Sequence, residues 1–247
     1  MDRRIVYGGH STVLISMGGA NILTDPNLSK RIWAMRRRSE PGLMEEQIGP
    51  VNLVLISHGH YDHLDMPTVR RLPRTAVVIV PEGLSEYFTR SGFRDVRVMS
   101  WWEQTTVHGT RIVAVPANHF QGRNPLVKSL YQGYVVDGKR QIYFAGDTGW
   151  FEGIKEIGDM FRLDLALLPI GAYRPWAVFG HHMTPEDSIK AMQYLGAKAM
   201  IPIHWGTFRL SLEPLSEPVT RLRRAAIRAG MQDRVVVLGP GQSLDLA

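Results

Sequence analysis

The 247-residue sequence contains no cysteine, which removes a disulfide framework, a thiolate nucleophile and any thiolate-held structural zinc. A metal bound here must be held by imidazoles and carboxylates. Nowhere do the roughly 18 consecutive apolar residues of a membrane-crossing helix occur. The opening Met1-Asp2-Arg3-Arg4 leads directly into a strand-like Ile5-Val6-Tyr7, not into the apolar stretch of a secretory leader. These absences predict a soluble, cytoplasmic protein, although a chain without cysteine would also suit an oxidising compartment. Repeats, low-complexity tracts and linkers are missing too, so one domain over 1–247 is expected. With 44% hydrophobic and 21% charged residues, the chain can bury a full core. Acidic residues are the minority, 23 against 29 Lys and Arg for a net charge of +6, which suits anionic partners such as phosphoesters, nucleic acid or anionic lipid.

What is present begins as β-prone runs separated by glycine turns: Arg4 to Tyr7, Thr12 to Met17 and Asn21 to Thr24 read as an antiparallel meander. Residues 29–50 are basic, show no clear periodicity and read as a long loop. From residue 52 strands and helices alternate. Leu53 to Ser57, Val77 to Val80, Arg97 to Ser100, Arg111 to Val115, Tyr134 to Val136, Gln141 to Ala145, Leu165 to Pro169, Met200 to Ile203 and Arg234 to Leu238 read as strands. Helices are predicted over Met66 to Leu72, Leu84 to Ser91, 185 to 195 and Pro218 to Ala229. Two blocks of strands with helices between them predict an α/β fold of four layers, αββα.

The sharpest chemical signal is Ser57-His58-Gly59-His60-Tyr61-Asp62-His63-Leu64-Asp65, directly after an apolar strand. Three imidazoles and a carboxylate so close together at a strand end need partners once removed from water, and metal ions supply them. In a tight turn His58 and His60 can point at one centre while Asp62 and His63 point at its neighbour. Ligands of this type without thiolate suit Zn²⁺, with Mn²⁺ or Fe²⁺ also compatible. A binuclear site needs more ligands. His119, Asp147 and His204 each stand just past an apolar run, where a sheet delivers side chains to one rim.

In this pattern the chain resembles the metallo-β-lactamase superfamily, whose HxHxDH motif is matched by His58, His60, Asp62 and His63. Within it the chain is similar to the N-acyl-phosphatidylethanolamine-hydrolysing phospholipase D group, related to the ascorbate-6-phosphate lactonase-like hydrolases. Leu23-Thr24-Asp25-Pro26, Phe144-Ala145-Gly146-Asp147-Thr148-Gly149, Pro169-Ile170-Gly171-Ala172-Tyr173 and Ile203-His204-Trp205-Gly206-Thr207-Phe208 carry the likeness, which runs from about residue 8 to 218. The resemblance implies a metallo-β-lactamase sandwich in which His58, His60 and His119 bind one metal, Asp62, His63 and His204 a second, and Asp147 bridges them. It departs at the N-terminus, where the mammalian lipase has an extension, so membrane docking by that segment does not carry over.

Two cations sharing a water lower its pKa from 15.7 toward about 7, so a metal-bound hydroxide would attack a phosphodiester. Asp62 could also orient that water. The runner-up is a lactonase or cyclic-phosphodiester hydrolase acting on a small soluble anion, and a non-catalytic metal- or ligand-binding protein of the same fold is the alternative outside enzymes. No nucleic acid is expected, for want of a second domain or an aromatic-rich strand pattern that stacks bases.

His182 stands before a helix start at Thr184-Pro185-Glu186-Asp187, where it could hold a phosphate or protonate a leaving oxygen. A histidine merely packing the loop is its plain alternative. Tyr173 and Trp205 are candidate pocket walls and Arg123 a candidate phosphate contact. Asp25 is read as a hydrogen-bond partner for a ligand histidine or as a simple turn residue. His10 is a residue that could approach the site, and His108 an ordinary turn residue. The cluster Lys30, Arg31, Trp33, Arg36, Arg37 and Arg38 is either solvated loop charge or a surface for peripheral contact with lipid headgroups.

Overall fold

The computed structural model describes residues 4–120, 130–174 and 180–246 of the chain. Its strands, in chain order, are β1 (Arg4–Gly9), β2 (Thr12–Met17), β3 (Ala20–Thr24), β4 (Arg31–Ile32), β5 (Met35–Arg36), β6 (Leu53–Leu55), β7 (Val77–Val80) and β8 (Asp95–Val98). They continue with β9 (Gln104–Val107), β10 (Thr110–Val115), β11 (Gly133–Asp137), β12 (Gln141–Phe144), β13 (Leu165–Pro169), β14 (Ala199–Ile203) and β15 (Ser243–Asp245). The helices are α1 (Glu45–Ile48), α2 (Met66–Val69), α3 (Ser85–Thr89), α4 (Gly153–Met160), α5 (Pro185–Tyr194) and α6 (Glu217–Arg228).

Side-chain alternation along the strands builds the layers. Ile5, Tyr7, Val13 and Ile15 point into the core between two sheets, while Val6 and Leu14 lie on the opposite face beneath helices. One sheet runs β15-β1-β2-β3-β6-β7-β8 and the other β14-β13-β12-β11-β10-β9. Between them lie Leu53, Leu55, Ile112, Phe144, Leu167 and Ile201. Ile48, Val69 and Phe88 bring α1, α2 and α3 onto the outside of the first sheet. Ile157, Ile189 and Leu222 do the same for α4, α5 and α6 on the second. The result is the expected αββα order, and burial of both faces explains why the central strands read as continuous apolar runs.

Residues 29–50 depart from the expected loop: β4 and β5 form a small antiparallel hairpin, and α1 follows. Trp33, at φ 51°, and Met35 are exposed there, so no apolar alternation marks the hairpin. The short α4 and the edge strands β9 and β15 also lie outside the sequence expectation. At Arg234 to Leu238 the expected strand is replaced by a 3₁₀ turn, Gln232–Arg234, followed by a single bridge from Val235 to Met200. The apolar run there covers the edge of β14 without extending the ladder.

Strand direction decides where function gathers. β1 and β3 each run antiparallel to β2, and β3 pairs parallel with β6, so β1, β3 and β6 end at one rim. In the other sheet β10 and β12 both run antiparallel to β11, and β12, β13 and β14 are parallel, so their ends also coincide.

Candidate metal centre

Loops at those strand ends carry the polar cluster. The turn after β1 supplies His10, the end of β3 Asp25, and the segment after β6 supplies His58, His60, Asp62 and His63. The ends of β10, β12 and β14 bring His119, Asp147 and His204. Two groups form. His58, His60 and His119 offer ring nitrogens within 4.8 Å of one another, as do His10, Asp62, His63 and His204 with their own ligand atoms. Asp147 Oδ2 lies between them, 3.1 Å from both His63 Nε2 and His204 Nε2 and 3.9 Å from both His58 Nε2 and His119 Nε2. The backbone is shaped to permit this. Gly146 has φ 60°, and a Cβ there would lie 2.4 Å from Ser57 Cβ. His10 and His204, both at φ 58°, adopt the left-handed region that non-glycine residues rarely hold. The His204 N–H donating to the His10 carbonyl at 2.8 Å ties the two turns together.

Outer hydrogen bonds orient the rings. Asp25 is buried and accepts from Ser57 N at 2.7 Å and Ser57 Oγ at 2.5 Å, and its Oδ2 lies 2.6 Å from His63 Nδ1. Ser57 Oγ is 2.9 Å from His58 Nδ1, and the His181 carbonyl is 3.0 Å from His119 Nδ1. Burial, which disfavours the charged ring, is the main reason His10 and His119 are each pushed down to about 3 and His182 to about 4. Burial also holds His58 well below the usual range. These rings are therefore neutral at pH 7, the state in which a nitrogen lone pair can bind a cation. His204 differs. Burial opposes its proton, but the charge and hydrogen bond of Asp147, with Asp62, push it up to about 9. His63 is likewise raised, against burial, by Asp147, Asp62 and Asp25.

The cluster suits divalent cations. Asp147 Oδ1 is buried without a hydrogen-bond partner among the described residues, and a cation at the centre would satisfy it. The donors are imidazole and carboxylate without thiolate, a set compatible with Zn²⁺, Mn²⁺ or Fe²⁺.

Comparison with known proteins places the chain in a family of this fold. Residues 20–205 match the family described as the beta-lactamase superfamily domain, a span that carries every residue of the first histidine group and all of the second except His10. The chain belongs to the metallo-β-lactamase superfamily. It is 34% identical over 92% of its length to the mitochondrial N-acyl-phosphatidylethanolamine-hydrolyzing phospholipase D of Saccharomyces cerevisiae, about half of whose length (52%) is covered. It is 32% identical to a UPF0173 metal-dependent hydrolase of Methanopyrus kandleri, with 98% of this chain and 99% of that one covered. Among solved structures, the metallo hydrolase Igni18 of Ignicoccus hospitalis superposes with a TM-score of 0.74 at 25% identity, over 99% of this chain and 98% of that one.

Within this metallo-β-lactamase fold the expected site residues have different fates. His58, His60, Asp62, His63, His119, Asp147 and His204 all converge, and His10 joins them with Nε2 2.9 Å from Asp62 Oδ2. His182 lies beside the cluster, Nδ1 3.8 Å from Asp147 Oδ2. The capping box at α5 is present and places the Asp187 carboxylate against Thr184. The Asp187 carboxylate also accepts from the Thr184 N–H at 3.1 Å, so the helix start is capped within its own turn. Burial pushes the His182 ring down to about 4, and it stands beside the cluster where it can offer a hydrogen bond.

Tyr173 is buried, its hydroxyl is 3.0 Å from Glu217 Oε1, and the Arg221 guanidinium lies 4.8 Å from its ring centre, so it braces α6. Trp205 donates from Nε1 to the Pro202 carbonyl at 3.0 Å and lines a cavity beside His204. Arg123 lies outside the described residues. His108 is a turn residue, at φ 48°. Sequence reasoning gave no role to Ser57, Asn27 or Asn118. Asn27 Nδ2 donates to the Asp62 carbonyl at 3.0 Å and Asn118 Nδ2 to the Gly180 carbonyl at 2.8 Å, so both hold ligand-bearing loops. For Ser57 and Asn118 the available signal was adjacency to His58 and His119.

Proposed function

We propose that this metal-dependent hydrolase cleaves phosphodiesters in the manner of a phospholipase D acting on N-acyl-phosphatidylethanolamine-type lipids, using two divalent cations, preferentially Zn²⁺. The observation that carries the reading is the position of Asp147 Oδ2 between the two groups, 3.1 to 3.9 Å from four ring nitrogens, where one carboxylate can serve two ions. His58, His60 and His119 would hold one ion and Asp62, His63 and His204 the other. When bound, such ions supply Lewis acidity and a water acidic enough to ionise near neutral pH. The protein's contribution is orientation. Asp25 and Ser57 set the rings of His63 and His58, His10 fixes the Asp62 carboxylate, and His182 presents a hydrogen-bonding ring at the edge of the cluster.

The lipid preference is supported by the yeast relative's named activity and by the rim. Phe120 is 39% exposed with its ring 4.4 Å from that of His119. Trp33 is 71% exposed and packs edge-on against Tyr61 of the histidine loop at 5.0 Å. Around Trp33 the hairpin carries Lys30, Arg31 and Arg36 exposed or partly exposed, whereas Arg37 is drawn inward to the Ser29 carbonyl at 2.9 Å. Aromatic and basic side chains together suit an anionic lipid surface. Among the described residues no helix is long and apolar enough to cross a membrane, so contact would be peripheral.

Metal content measured together with hydrolysis of bis-p-nitrophenyl phosphate, an N-acyl-phosphatidylethanolamine and a sugar-phosphate lactone tests the reading. Two ions per chain with cleavage of the lipid is the expected result. Cleavage of the lactone alone would replace it with the small-anion hydrolase, and less than one ion after reconstitution without turnover would overturn it.

A further inference from the structure

An imidazole that binds a cation through one ring nitrogen is held in tautomer and orientation by a partner on the other. His58, His63 and His119 follow this rule, their Nδ1 atoms meeting Ser57 Oγ, Asp25 Oδ2 and the His181 carbonyl. His204 departs from it. Its Nε2 faces Asp147 and Asp62 at 3.1 and 3.3 Å, while its Nδ1 is buried without a hydrogen-bond partner among the described residues.

His204 lines a small cavity together with His10, Trp205, Phe208 and Glu213. The space open to the centre of a water-sized sphere there is about 20 Å³, and a single water needs about 10–15 Å³ on that measure. The cavity is thus large enough for one water. Glu213 is only 5% exposed. Its Oε1 accepts from the Ala172 N–H at 2.7 Å, and its Oε2 is buried with no partner among the described residues. Two buried polar atoms, one able to donate and the other to accept, thus belong to residues lining one water-sized space.

We propose that Glu213 is a positioning residue for His204, acting through one water held in this cavity. His204 Nδ1–H donates to the water and the water donates to Glu213 Oε2. This keeps the proton on Nδ1 and leaves the Nε2 lone pair directed at the centre, with the carboxylate raising the basicity of the ring. The inference rests on His204 serving as a metal ligand, as proposed above.

The experiment measures zinc affinity of the full chain by competition with a chromophoric chelator, alongside thermal unfolding of the metal-stripped protein, for wild type and Glu213→Gln. The Gln amide oxygen can still accept from Ala172, so the loop contact survives while the charge is lost. The expected result is zinc binding weakened about 10- to 100-fold with unfolding of the metal-free protein unchanged. Wild-type affinity in Glu213→Gln would overturn the proposal, leaving Glu213 only its bond to Ala172. If the Gln variant fails to fold, Glu213→Asp, which keeps the charge but shortens its reach, is measured in its place, and wild-type affinity there overturns the proposal equally. A wild type that binds no zinc would count against the metal centre itself, which separates the two failures.

Discussion

Asp25 touches no substrate in the proposed scheme, yet its removal should damage both stability and metal binding, and by different routes. Its carboxylate is fully buried and meets Ser57 N, Ser57 Oγ and His63 Nδ1 within 2.5 to 2.7 Å. In Asp25→Ala the Ser57 hydroxyl keeps His58 Nδ1 as a neighbour at 2.9 Å, so two groups, Ser57 N–H and His63 Nδ1, lose their partner outright. Each buried orphan costs about 1–3 kcal/mol, giving about 4 kcal/mol together, in line with the roughly 3–5 kcal/mol of breaking one side of a buried charged pair. For a chain of this size about 2–4 °C of melting temperature accompanies each kcal/mol, so metal-stripped Asp25→Ala should unfold roughly 12 °C below wild type. Asp25→Asn separates the second effect. Its carbonyl can still accept from Ser57, but its amide donates toward His63 Nδ1, which favours the tautomer with the proton on Nε2, where a cation would bind. Asp25→Asn should therefore lose only about 1 kcal/mol of stability but about 10- to 100-fold in zinc affinity. Thermal unfolding by circular dichroism and zinc competition titration read the two quantities. Melting of Asp25→Ala within 2–3 °C of wild type, or undiminished zinc affinity in Asp25→Asn, would refute the argument that this carboxylate orients the centre.

The metal-free protein should be most stable near pH 6.5. His10 and His119 lowered to about 3, and His182 to about 4, bind fewer protons folded than unfolded, so their contribution is complete above the ordinary histidine value of about 6.5 and lost as pH falls toward those values. His204, raised to about 9, contributes stability that is complete below 6.5 and lost as pH rises through 9. Melting temperature against pH checks this, and a metal-free profile flat from pH 4 to 9 would contradict it. Gly146→Ala should destabilise by about 3 kcal/mol, about 1–2 kcal/mol from the left-handed backbone and the remainder from displacing Ser57, whose Cβ would lie 2.4 Å from the new methyl. A urea midpoint equal to wild type would show that Ser57 moves without penalty.

The sequence by itself determined the strand ends and the polar residues that gather there. Apolar runs are broken by His or Asp at 58, 119, 147 and 204, and the structure brings these side chains together at one rim, because a strand buried on both faces tolerates a polar side chain only where it leaves the sheet. Short or exposed elements were not legible. The hairpin β4–β5 has Trp33 outward, and β9 and β15 are edge strands without continuous burial. Spacing separates His58 and His60 from Asp62 and His63, but only the tertiary structure brings His119 to the first pair and His204 to the second, since that depends on β1, β3 and β6 ending at the same rim as β10, β12 and β14. His10, nearly 50 residues from the histidine motif, enters by that route. The same packing turned Tyr173 toward Glu217 and Arg221, and buried Glu213 beside His204. Spacing along a chain can announce ligands that share one turn, but a partner that arrives from another strand end is specified by how two sheets stack, and no local pattern records it.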